Sequence, residues 1–187
     1  MAGIKQPIQD ILTNLQTIVV TNGDGQSVNL RARIWNNQLQ HDKDGKYIGM
    51  QKPAAFLEVV SGVSWQNLQG GYSTADLGWR IHLVAEQLDS GDGTFDQNLA
   101  VFDLRDKVIA KLAMYEPTGC GAIELRGEDQ DYDHDNLYHY ILDFVCNFID
   151  TTGSNISTGR QVERQPPLTM ELDVITPAPQ TQIYNIP

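Results

Sequence analysis

The run "GEDQDYDHDN", residues 127–136, puts five carboxylates and a histidine into ten positions: Glu128, Asp129, Asp131, Asp133, Asp135 and His134. Oxygen ligands at that density suit a hard divalent cation. A calcium loop needs oxygens at alternate positions, a glycine at the sixth and a bidentate Glu at the twelfth. Counted from Asp131, Asp133 and Asp135 fall correctly, but Asn136 stands where glycine belongs and Leu142 where Glu belongs. Counted from Asp129, those two positions hold His134 and Tyr140. Both registers fail. "DKDG" at 42–45 fails sooner, because Lys46 occupies a ligand position. A looser divalent site on Asp131, Asp133 and Asp135 stands behind the plainer reading, a solvated turn between strands.

Other chemistry finds less support. His134 and His139 are five apart, a spacing that suits neither helical nor strand ligation, and HExxH is absent. His82, between Ile81 and Leu83, is expected on the outer face of a strand, and His41 opens a turn. Ser64 in "GVSWQ" lacks the second glycine of a nucleophile elbow. "GDGTFD" and "GCGAIELRG" contain GxG without the third glycine or the strand-to-helix setting of a phosphate cradle. Cys120 and Cys146 form no CxxC, so reduced, partly buried thiols are expected. The expectation is a non-enzyme with no catalytic residues, no metal and no cofactor.

The chain has 187 residues, enough to bury one core without staples, and a formal net charge of −11. Residues 124–150 hold eight acids against Arg126 alone, so −7 of that charge sits in one segment. Such a surface does not grip nucleic acid, which needs Lys and Arg to displace counterions. It leaves room for a surface that DNA slides past, where repulsion would prevent sticking. No stretch has the roughly 18 apolar residues of a membrane span, and "MAGIKQPIQD" lacks a signal-peptide core. A soluble protein made in a cytoplasm is expected.

Several elements must position these residues. "PIQDILTNLQTIVV" (7–20) places Ile8, Ile11, Leu12, Leu15, Ile18 and Val19 at helical spacing. "VNLRARIWNNQL" (28–39) alternates as a strand, with Leu30, Ala32 and Ile34 on one side. After Pro53, "AAFLEVVSGV" reads as a buried strand, and "WQNLQGGYSTADLG" as a loop or irregular hairpin. "WRIHLVAEQL" (79–88) is a strand with Trp79, Ile81, Leu83 and Ala85 on one face. From Asp96 a second helix turns Leu99, Phe102, Ile109, Leu112 and Ala113 inward, and "EPTGCG" ends it. "AIELRG" (122–127) extends into the acidic stretch as the partner of a long strand, 136–150, whose Tyr138, Tyr140, Leu142, Phe144, Cys146 and Phe148 share a face. The order predicts an α+β domain over 1–152, with an antiparallel or mixed β-sheet and two main helices packed on it.

From residue 153 an extended, Pro-rich C-terminal arm follows, through 187. It shows no sustained period and cannot build its own core. Its apolar groups (Leu168, Met170, Leu172, Val174, Ile183, Tyr184 and Ile186) suit a segment that orders on a partner.

Over residues 1–152 the layout resembles the tail terminator (tail completion) proteins of long-tailed bacteriophages. The leading helix "IQDILTNLQTI", the mid-chain helix "LRDKVIAKLA" and the final hairpin "DYDHDNLYHYILDFVCNFID" carry the resemblance, the hairpin most specifically. It implies a structural virion protein: a homo-hexameric ring that caps the head-proximal end of the tail tube and stops its polymerisation. Its implied partners are the tail tube protein and the head-tail connector or neck protein. DNA transits the lumen without sequence-specific binding, and no membrane is involved. On that reading Glu128, Asp129, Asp131, Asp133 and Asp135 face the channel. The C-terminal arm departs from compact family members. Alternatives are another connector, neck or baseplate ring, or a small divalent-metal-binding domain.

Overall fold

Pro7, Ile11 and Leu15 recur at every fourth position, which aligns them on one face of helix α1 (Lys5–Leu15), where all three are buried. A computed structural model describes residues 3–21, 25–37, 39, 52–60, 64–68, 70–86, 96–131 and 137–153. The turns expected within 40–51 and 87–95, and the arm beyond Gly153, lie outside those residues.

The helix ends sooner than the 7–20 pattern predicts. "TIVVT" (17–21) is an unbroken β-branched run, which crowds a helix and fits a pleated strand. The Thr17 hydroxyl donates to the Asn14 carbonyl at 2.7 Å. Val19–Thr21 then forms β1, antiparallel to β2 (Ser27–Asn29), with Val19 opposite Asn29.

The main sheet contains β3 (Arg31–Ile34), β4 (Ala54–Val59), β5 (Gln66–Asn67), β6 (Ser73–Glu86), β7 (Glu124–Asp131) and β8 (Leu137–Asp150). Its order is β3-β4-β6-β8-β7, with β5 beside the start of β6. Only β3 and β4 are parallel; the other pairs are antiparallel, so the sheet is mixed. Together with two helices this is the expected α+β architecture. β6 and β8 pair along their whole length, from Ser73 opposite Asp150 to Glu86 opposite Leu137. β6 starts at Ser73, ahead of the expected 79, because Ala75 and Leu77 already alternate inward there. The polar stretch before it proves to be an irregular hairpin through β5.

One face of the sheet carries Ala55 and Leu57 of β4, Leu77, Trp79, Ile81 and Leu83 of β6, and Leu142, Phe144, Cys146 and Phe148 of β8. Helices α1 and α2 (Asp96–Leu112) close that core. On α2 the buried residues are Val101, Leu104, Val108 and Leu112. The inward stripe is therefore rotated from the expected one. Phe102 is 40% exposed, its ring 6.0 Å from Tyr140, Ile109 is half-buried and Ala113 exposed; the side chain of Leu99 lies outside the described residues. Ile34, expected inward beside Leu30 and Ala32, is likewise exposed, at the end of its edge strand.

The second helix also stops before "EPTGCG". Its exit residue is Met114, at φ 63°, whose N–H donates to the Ile123 carbonyl at 2.9 Å. A side chain in that left-handed conformation costs about 1–2 kcal/mol, and Met114 recovers little by packing because it is mostly exposed. Met114→Gly is expected to raise stability by about 0.5–1 kcal/mol after the entropy of glycine is subtracted. Equilibrium denaturation checks this; a destabilised variant would show that Met114 packs on something outside the described residues.

Candidate functional site

The face of the sheet away from the helices holds a second, smaller apolar cluster of Leu39, Ala54, Phe56, Val84 and Leu137, with Trp35 packed on it. Strand alternation puts Glu58 of β4, Arg80 and His82 of β6, Asp143 and His139 of β8, and Asp129 and Asp131 of β7 on this same face. His82 lies there as expected. Its burial was not foreseen: His82 is 5% and His139 3% exposed.

Four of these groups form one line across four adjacent strands. Glu58 Oε2 lies 3.1 Å from His82 Nε2, His82 Nδ1 lies 2.8 Å from His139 Nε2, and His139 Nδ1 lies 3.0 Å from Asp131 Oδ2. The Trp35 indole stacks on His82 at 4.0 Å between centroids and 9° between planes, and the imidazoles stack on each other at 5.1 Å. Beside the line, Arg80 makes a two-pronged contact with Asp143 (Nε–Oδ1 2.8 Å, Nη2–Oδ2 3.2 Å) and stands 4.0 Å from Glu58. The Asp143 hydrogen bond is what raises the Arg80 pKa.

The protonation of the line follows from counting hydrogens. Three hydrogen bonds need three protons, and two neutral imidazoles supply two. With both end groups as carboxylates, the third makes one ring an imidazolium. Burial pushes His82 below its ordinary 6.5, against Glu58, which raises it; Arg80 adds to the depression and Asp143 opposes it. A charged ring against the indole face gains about 0.5–2 kcal/mol, less than the several kcal/mol that burying an ion costs. Arg80, 4.0 Å from Glu58 at the His82 end of the line, further disfavours charge there, so the count closes with His82 as the neutral ring. The three contacts are all satisfied when His82 donates from Nε2 to Glu58 and accepts at Nδ1, and His139 donates from both nitrogens, to His82 and to Asp131.

The described carboxylates of the acidic run divide between the two faces of the sheet. Glu128 lies on the helix face, where Arg105 of α2 binds it at 2.6 Å through both Nε and Nη2, and that hydrogen bond holds its carboxyl below the usual range. Asp131 accepts from His139 on the other face. Asp129 is exposed and accepts the Gln130 N–H at 2.8 Å. Asp133 and Asp135 lie outside the described residues, as do Leu168, Met170, Leu172, Val174, Ile183, Tyr184 and Ile186 of the arm. Among the described residues no three His, Cys, Asp or Glu side chains are grouped to hold a metal ion.

Cys120 and Cys146 are free thiols. Trp79 Nε1 donates to Cys146 Sγ at 3.1 Å in the core. The bond to Cys146, with burial, pushes the Cys120 thiol up, so it is a poor nucleophile. Neither cysteine is on the face of the histidines. No helix among the described residues is long and apolar enough to cross a membrane.

Sequence reasoning passed over Glu58, Trp35 and the pairing of His82 with His139. The signal was one outward histidine in each of two long strands, and only the β6–β8 register brings them together. No protein-family model matches the chain, and a search of curated proteins returns no match.

Proposed function

We propose that the chain is a structural virion protein, a tail terminator of a long-tailed bacteriophage. Copies associate as a hexameric ring on the head-proximal end of the tail tube, stop its growth and join it to the head connector, with DNA passing through the lumen. The observation that carries the reading is the final hairpin. β7 leads through an acidic stretch into β8, a strand of 14 residues with aromatic side chains along it. The leading helix and the mid-chain helix, the other two parts of the resemblance, correspond to α1 and α2 packed together on the sheet. Head-to-tail contacts between copies that close on themselves generate such rings.

Tube capping tests the reading. Tail-tube protein polymerised with the purified chain is expected to give short tubes with extra density at one end in electron micrographs. Tubes that grow to the same lengths with bare ends overturn it.

The channel role of the acids has its own test. Asp129→Asn, Asp133→Asn and Asp135→Asn are combined, sparing Glu128 and Asp131, which hold Arg105 and His139. If these carboxylates keep DNA mobile by repulsion, virion yield falls roughly tenfold or more, the scale on which local fields change passage rates. An unchanged yield leaves the turn with no part in DNA transit.

A further inference from the structure

The line from Glu58 to Asp131 crosses the base of the β7–β8 ladder, where Asp131, the last residue of β7, pairs with His139, the third of β8. It joins that base to β6 and β4 through side chains alone, in addition to the backbone ladder. Its middle bond is the vulnerable one. Between His82 Nδ1 and His139 Nε2, 2.8 Å apart, there is room for one hydrogen. A fourth proton on the line would point two N–H groups at each other and place two cations in stacked, buried rings. Loss of the third would leave two lone pairs facing.

We propose that Glu58, His82, His139 and Asp131 form a proton-operated latch on this base of the β7–β8 ladder, closed while the line holds three protons and released when a fourth arrives. The inference does not depend on the tail terminator reading. Among the described residues, the groups facing the line are Glu58 from β4, Arg80 from β6, His139 and Asp143 from β8, and Asp129 and Asp131 from β7; Arg31 and Arg33 share the face from β3. Trp35 covers His82.

The direction with pH follows from His82. Its folded pKa lies below 6.5, so the unfolded chain takes up the proton first, and stability falls as pH drops from 6.5 toward the folded value. Release is therefore an acid event.

Two measurements on the full chain test the latch. In hydrogen exchange corrected for intrinsic rates, protection of the amides at 137–141 is expected to fall roughly tenfold between about pH 7 and about pH 5, within the limit of tenfold per unit for one proton. The more distant ladder at 145–149 should change far less. His82→Gln, which removes the ring that takes the fourth proton, should remove the pH dependence. If that variant does not fold, imidazole nitrogen NMR of the wild type decides. The latch requires His82 and His139 to titrate as a coupled pair, with one ring still neutral below pH 6.5. Two rings titrating independently near 6.5, or protection that does not vary with pH, overturn it.

Discussion

Trp79→Ala lowers the free energy of unfolding by about 3–5 kcal/mol, the largest single-residue loss expected in this chain. Trp79 sits mid-way along β6, opposite Val59 of β4 and Phe144 of β8, and is 1% exposed. Removing the indole empties the largest fully buried side chain from the core, and the surrounding strands cannot collapse to fill it because their ladders fix the spacing. It also removes the Nε1 donor to Cys146 Sγ. Trp79→Phe separates these contributions. It keeps most of the packing, loses the sulfur contact, and is expected to cost about 1–2 kcal/mol. Urea denaturation of both variants measures the difference. A loss below about 1 kcal/mol for Trp79→Ala would mean the core is not organised around β6.

Deleting residues 155–187 is expected to leave the fold intact and to abolish or greatly weaken tube capping. Every buried apolar residue among the described ones falls between Pro7 and Phe148, and the arm shows no sustained apolar period with which to build a core of its own. Stability of the truncated chain should stay within about 0.5 kcal/mol of the full one. If the arm supplies the contact to a neighbouring copy or to the tube, capping at the same protein concentration falls by at least about tenfold, the loss produced by only about 1.4 kcal/mol of binding energy. Soluble, folded protein that caps normally would remove the arm from the assembly. Loss of folded protein would place it in the core.

How far the fold was legible depended on where patterning and local propensity agreed. "AAFLEV" and "LYHYILDFVCNFID" read correctly as strands because alternation, β-branched or aromatic content and flanking breakers coincide. At the first helix they conflict. Helical spacing runs on to Val19, yet the β-branched run from Thr17 forms a strand, and Val19 ends 53% exposed. On the second helix, polar and apolar residues are mixed, so the spacing fits two faces. Leu104 and Val108 won over Phe102 because they point at the sheet, which the sequence does not state. The start of β6 was missed because its inward residues, Ala75 and Leu77, are separated by Asp76 within a Gly- and Ser-bearing stretch.

The outer-face site was less legible than the fold. His82 could be placed on its face, but its partners come from three other strands, at registers that depend on the pairing of the whole sheet. Glu58 is the one acid in "AAFLEVVSGV", with nothing in its spacing to mark it, and Asp131 is one of five carboxylates in the acidic run. The acidic run misled in the opposite way. Its density in sequence suggested a single patch, while strand alternation sends Glu128 to Arg105 and Asp131 to His139 on opposite faces.

The central claim, that this chain works as a ring on a tail tube, is tested most directly by native mass spectrometry of the purified protein joined with negative-stain microscopy, alone and with tail tubes. Closed rings of about six copies, free or seated on tube ends, are expected. A chain that stays monomeric in both conditions and leaves the tube ends bare would contradict it.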